Sequence, residues 1–230
     1  MHTIGLLGGL GVGAAIHYYR ELAAAHDDRR RSMNLVMIHA SISRATSHAS
    51  TGDRQGLATY FAGLFARLKA AGATIGVVPA VTPHICIEEL KAVTAIPVVD
   101  LTRAVADHIR ERGLSRIALF GTRFVIESDM YGRLPGIDIV RPREEEIGFI
   151  HEAYSEMAHT GASTPARRDR FVALADTLQK RDGVDAVVLA GTDFAVMFDA
   201  SNTPFPHVNC ADAHIAAILA TVKAGEHADG

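Results

Sequence analysis

The sequence is short of the features that would tie it to nucleic acid, to a membrane or to an oxidising compartment. Its 230 residues carry 23 Lys and Arg against 26 Asp and Glu, a formal net charge of −3. That balance offers no basic field to a polyphosphate backbone, and the short arginine runs, Arg29 to Arg31 and Arg167 to Arg170, are scattered. Nucleic acid is therefore not an expected partner. No apolar run approaches the ~18 residues of a membrane span, so no membrane partner is expected either. Residues 1–10 lack the cationic start and cleavage site of a secretion signal, and the expectation is an unprocessed, cytoplasmic protein. Two cysteines, Cys86 and Cys210, allow at most one disulfide, which a chain of this size does not need. Two reduced thiols are expected. The 12 histidines form no His-x-x-x-His spacing and the cysteines no Cys-x-x-Cys, so no metal site is expected.

What is present is apolar substance, 48% of the residues, which excludes a disordered chain. Apolar runs bounded by Gly or Pro alternate with stretches of helical period, the pattern of a parallel sheet with crossover helices. Strands are predicted over residues 3–7, 34–39, 74–79, 116–120, 137–140 and 186–190. Helices are predicted over residues 12–25, 54–71, 82–93, 102–112, 144–159, 166–181 and 211–223. The stretch around Thr74-Ile75-Gly76-Val77-Val78-Pro79-Ala80-Val81-Thr82 resembles that around Asp185-Ala186-Val187-Val188-Leu189-Ala190-Gly191-Thr192. Thr3-Ile4-Gly5-Leu6-Leu7-Gly8-Gly9 likewise returns as Arg116-Ile117-Ala118-Leu119-Phe120-Gly121-Thr122. Two similar α/β halves are the simplest account: residues 1–98 with a returning segment 208–230, and residues 99–207. The cleft between them is the expected site.

The first strand opens into Gly8-Gly9-Leu10-Gly11-Val12-Gly13-Ala14, which contains a G-x-G-x-x-A spacing. A dinucleotide site would also need an acidic residue ending the second strand, where His39-Ala40-Ser41 stands instead. The preferred reading is a glycine turn whose N–H groups meet a substrate carboxylate at a helix N-terminus, with no cofactor. Three further strand exits carry hydroxyls, at Thr82, Thr122 and Thr192. Each threonine is equally readable as a helix N-cap; in register with Gly8 and Gly9 they form a cradle for a small carboxylate or amino acid.

These residues resemble the aspartate/glutamate racemase family over nearly the whole chain. The opening strand and glycine loop followed by Tyr18-Tyr19-Arg20, the strand ending Gly121-Thr122-Arg123-Phe124, the acidic Glu144-Glu145-Glu146, and the tail Pro206-His207-Val208-Asn209-Cys210-Ala211-Asp212-Ala213-His214 all match in order. The resemblance implies two pseudo-symmetric α/β halves, an interdomain active site, a homodimer, and neither metal nor pyridoxal phosphate. The family places a Cys-Asn-Thr at the third strand exit and a Gly-Cys-Thr-Glu at its counterpart. Here stand Ala80-Val81-Thr82-Pro83-His84 and Ala190-Gly191-Thr192-Asp193, so Ala80 and Gly191 occupy the positions of both catalytic thiols. Neither has a titratable atom, and the two-thiol mechanism cannot be copied onto them.

Replacement acid/base groups are sought in His84 and Asp193, which end the two altered motifs, in His214, which matches the family's tail histidine, and in Cys210 of the same segment. Cys86 reads as a packed thiol. Arg44 and Arg123 are the cations nearest to strand exits that could clamp a distal carboxylate. Three readings remain open. One is a racemase- or epimerase-like isomerase of a small acidic amino acid or dicarboxylate with non-thiol chemistry. The second is a lyase, decarboxylase or dehydratase using the same cradle, and the third a non-catalytic carboxylate-binding protein.

Overall fold

The computed structural model describes residues 2–26, 32–128, 130–131 and 136–228; the arginine run at 29–31 lies outside them. The first four-stranded parallel sheet has the order β2-β1-β3-β4, from β1 (Ile4–Gly8), β2 (Leu35–His39), β3 (Ile75–Val77) and β4 (Val98–Val99). The second repeats it as β6-β5-β7-β8, from β5 (Arg116–Phe120), β6 (Asp138–Val140), β7 (Ala186–Leu189) and β8 (His207–Asn209). The second sheet thus runs to Asn209, past the 207/208 division read from the sequence. Both sheets are parallel and helix-covered, which is why β1, β3 and β7 are uniformly buried and read as unbroken apolar runs.

Nine α-helices are described: α1 (Val12–Ala25), α2 (Ile42–Ser50), α3 (Arg54–Ala70), α4 (Ile87–Val93), α5 (Leu101–Glu111), α6 (Arg123–Glu127), α7 (Glu144–Thr160), α8 (Pro165–Asp182) and α9 (Cys210–Ala228). Local chemistry starts and stops them. Asp53, Asp100, Thr122 and Thr164 cap α3, α5, α6 and α8, each accepting a backbone N–H of the first turn. Gly183, at φ 68°, ends α8 in the left-handed region that favours glycine. The single helix expected over residues 82–93 is broken: Thr82–Cys86 is a 3-10 turn containing Pro83, and α4 follows it. A matching 3-10 turn, Thr192–Val196, follows β7.

The two halves exchange their last helices. Leu101, Val105 and Ile109 of α5, which follows β4, are buried with the second sheet's Ile117, Val187 and Val208. Ala211, Ile215 and Ile218 of α9, which follows β8, are buried with Ile4, Leu6 and Tyr18 of the first half. The crossing helices also pack on each other. Two buried histidines pin this exchange. His84 Nδ1 donates to Ala80 O at 2.8 Å while its Nε2 accepts from Leu101 N at 3.2 Å. His214 Nδ1 accepts from the Tyr18 hydroxyl at 2.9 Å and its Nε2 donates to Val99 O at 3.0 Å. No helix among the described residues is long and apolar enough to cross a membrane.

Candidate active site

The carboxyl ends of β3, β5 and β7 converge between the halves on a cavity of about 460 Å³. Ala80, Val81, Thr82 and Pro83 line it from the β3 exit, Thr122 from β5, and Ala190, Thr192 and Asp193 from β7. Ile42, Ala45, Thr46, Ala49 and Ser50 of α2 form one wall; Tyr154, Ser155, Ala158 and His159 of α7 form the other. Hydroxyls stitch the exits across the halves. Thr192 Oγ1 donates to Pro79 O at 3.0 Å, and the Thr82 and Thr122 hydroxyls lie 3.5 Å apart.

The side-chain space at Gly191, where the resemblance implies a thiol, is filled. A Cβ built on Gly191 would run into Cε2 and Cζ of Tyr154 and lie 2.7 Å from its hydroxyl oxygen. The ring is held there by Phe194, at 5.0 Å between centroids. The Tyr154 hydroxyl donates to Asp193 Oδ2 at 3.3 Å, and Asp193 Oδ1 accepts from Ala14 N at 3.0 Å. Burial raises the Asp193 carboxyl above its ordinary range, working against those two hydrogen bonds, and burial holds the Tyr154 phenol protonated well above its own. A neutral donor and a carboxylate of raised proton affinity thus stand together where a cysteine was expected.

The same carboxylate explains the glycines that open α1. Their N-terminal cap, Gly11, has no side-chain hydrogen bond; Asp193 of the other half supplies it through Ala14 N. A Cβ on Gly11 would lie 2.6 Å from Asp193 Oδ2, and one on Gly13 would lie 2.9 Å from Val196 Cγ2. Gly11 and Gly13 therefore admit a protein carboxylate, and the expectation that this helix start faces a substrate carboxylate is corrected.

The other sequence candidates separate sharply. Ala80, Thr82, Thr122, Thr192 and Asp193 line the cavity; Gly8, Gly9, Arg44, His84, Arg123, Cys210 and His214 do not. Gly9, at φ 84°, turns the chain where a Cβ would meet Ala40 O. Arg44 lies over the Tyr60 ring at 4.4 Å, and Arg123 pairs with Glu127 at 3.0 Å and with Glu144 at 2.5 Å; neither is among the residues that line the cavity. His84 and His214 have both ring nitrogens engaged within the protein, which corrects their expected role as bases: protonating the free lone pair of either would set it against an N–H or O–H donor. Burial lowers both pKa values, that of His214 to about 3. Cys210 is fully buried, and burial pushes its thiol far above the thiolate range. Cys86 donates to Pro83 O at 3.3 Å, with its pKa pushed up to about 12 by burial. Thr192 remains in the wall, but its hydroxyl proton is spent on Pro79. Tyr154 escaped the sequence reading, although a glycine at a position that should bear a side chain is itself a signal that something else fills the space.

Two pseudo-symmetric parallel α/β halves around a cleft at their strand exits define the racemase-like α/β class. A model of the Asp/Glu/Hydantoin racemase family matches residues 7–218, and the chain belongs to that family. Among solved structures, it is similar to a Yersinia pestis protein assigned to the Asp/Glu racemases, at 25% identity and TM-score 0.79, over 94% of this chain and 97% of that one. An aspartate racemase homologue from Pyrococcus horikoshii OT3 shares the fold at 20% identity and TM-score 0.81, covering 97% of this chain and 100% of its own. Arylmalonate decarboxylase shares it more loosely, at 14% identity and TM-score 0.53, over 94% of this chain and 91% of its own.

Proposed function

We propose that the chain is a cofactor-independent isomerase of the racemase or epimerase type, which moves the proton on a carbon next to a carboxyl group and uses Tyr154 and Asp193 in place of a thiol. The observation that carries this reading is the Tyr154 hydroxyl standing at the empty Gly191 side-chain position while bonded to Asp193. The Tyr154 oxygen takes the α-proton as its own proton passes to Asp193 Oδ2; the planar enolate-like intermediate then turns its other face to Tyr154, which delivers its proton to that face as Asp193 returns the proton it held, giving the inverted centre and restoring the pair. Burial raises the proton affinity of Asp193, which favours its holding that proton during the step. Thr82 and Thr122, which line the cavity with their hydroxyls 3.5 Å apart, donate in this reading to the enolate-like oxygens that develop between the two steps.

A second reading, a decarboxylase or other lyase, is favoured by a different observation. Facing this pair across the altered motifs, Ala80 carries no acid or base, so proton delivery from one side is better supported than from two. Arylmalonate decarboxylase shares the fold, but the asymmetry of the cavity is what supports this alternative. Incubation in D2O with enantiomerically pure 2-substituted carboxylates and amino acids, followed by NMR and chiral chromatography, separates the two. Deuterium entry with inversion supports the isomerase; loss of carbon dioxide or a new alkene supports the lyase. Ligand binding with neither exchange nor new product would sink both.

A further inference from the structure

The cavity wall disagrees with the acidic substrate that the sequence suggested. Among the described residues that line it there is no Lys or Arg; the ionisable side chains are Asp193, Tyr154 and His159. The two arginines offered as clamps are committed elsewhere, Arg44 to the Tyr60 ring and Arg123 to Glu127 and Glu144. Leu10, Ile42, Ala49, Phe124, Val125 and Ala158 make the lining of the space of about 460 Å³, room for roughly fifteen waters, largely apolar, with the uncharged Thr46, Ser50 and Ser155 among them. A distal carboxylate placed there would lose its water without gaining a cation, and would share the cavity with the buried carboxyl of Asp193. A branched alkyl or aryl group would lose nothing and would remove apolar wall from water.

Resting on the isomerase reading for its chemistry but on the wall for its specificity, we propose that the substrate is a carboxylic acid with one carboxylate only and an uncharged apolar substituent on the reacting carbon. Its carboxylate lies at the Thr82 and Thr122 hydroxyls. The Thr82 hydroxyl has only a loose 3.5 Å contact with Thr122, so it keeps its donor for a ligand. The apolar substituent lies between α2 and α7. Ala45, Ala49 and Ala158, which are small, set the width of this slot and hence the largest substituent admitted.

The test is a binding panel on the full-length protein by isothermal titration: leucine, phenylalanine and 2-phenylpropanoate against aspartate, glutamate and malate, both enantiomers of each chiral compound. At least one of the first three should bind tenfold or more tightly than all of the second three. Replacement of Ala158, a partly exposed wall residue, by Phe should weaken the phenyl compounds at least tenfold, and Ala158→Arg should move the preference towards aspartate and glutamate. Equal or tighter binding of the dicarboxylates by the unmodified protein overturns the proposal, as does failure of all six to bind at millimolar concentration. The parallel D2O experiment keeps the two ideas apart. Apolar compounds that bind without exchange remove the isomerase reading alone, and exchange confined to aspartate or glutamate removes this specificity alone.

Discussion

Tyr154 and Gly191 have to be considered as a pair, because the ring of one occupies the side-chain space of the other. Removing only the phenolic oxygen separates chemistry from packing. Tyr154→Phe should lower α-proton exchange about a hundred- to ten-thousand-fold, the range a lost general acid/base costs, with the melting temperature changed little. A residual rate above a tenth of the parent's would show that Tyr154 is packing alone. Restoring the family's thiol is expected to fail at first. Gly191→Cys puts a Cβ into the Tyr154 ring and should destabilise the fold by about 1–3 kcal/mol, as overpacked cores do, whereas pairing it with Tyr154→Ala should relieve the overlap. Chemical denaturation of the single and double variants measures this, and additive losses would contradict the shared space.

At the scale of elements, the start of α1 is where one half caps a helix of the other. Its N-terminal donor is satisfied by a carboxylate from the 3-10 turn that follows β7, and Gly13 lets Val196 approach. Asp193→Ala leaves the Ala14 N–H and the Tyr154 hydroxyl without their acceptor and should cost about 1–3 kcal/mol of stability, while Asp193→Asn, whose single amide oxygen can still accept from Ala14 N and whose NH2 can donate to the Tyr154 oxygen instead, should keep most of it. Denaturant unfolding of the two variants distinguishes a cap from a spectator; equal losses would show that the charge, not the acceptor, matters. Other elements explain what the sequence concealed. Helix α2 was missed because Ile42–Ser50 is rich in serine and buries only Ala45 and Ala49, too little apolar contrast to show a period. Strand β4 is two residues long and β8 reads His207-Val208-Asn209 with one apolar residue, so neither shows an apolar run or an alternation. Yet α2 makes a wall of the cavity.

For the whole molecule, the exchange of α5 and α9 rests on neutral histidines, which makes its stability depend on pH. His214, packed against Tyr18 and the His84 ring with Asp100 nearby, has its folded pKa lowered to about 3 against 6.5 for an ordinary histidine. The stability it contributes is therefore complete above pH 6.5 and is lost as the pH falls towards 3. At 1.36 kcal/mol per pH unit the loss at pH 5 is roughly 2 kcal/mol from this residue. His84, lowered for the same reason, adds in the same direction. Asp193 acts oppositely, its raised carboxyl favouring the fold below its unfolded value of 3.8. The melting temperature should drop between pH 7 and 5, and His214→Gln should flatten that profile; a profile unchanged by the substitution would mean the acid lability lies elsewhere.

Read alone, the chain already disclosed the two repeated α/β halves, the family, the strand exits and the absence of a cysteine at Ala80 and Gly191. Each of these is written in local composition: buried parallel strands are continuous apolar runs, and a missing cysteine is missing in any conformation. It could not disclose what occupies the side-chain space of Gly191. Tyr154 and Gly191 lie on different elements of the second half, and Asp193 and Ala14 on opposite sides of the cleft; they meet only when β7, α7 and α1 are packed together. For the same reason the two histidines that looked like bases turned out to hold helices, and two arginines that looked like clamps turned out to serve a tyrosine ring and two glutamates. A side chain's chemistry depends on which donors and charges surround it, and those neighbours come from distant parts of the chain.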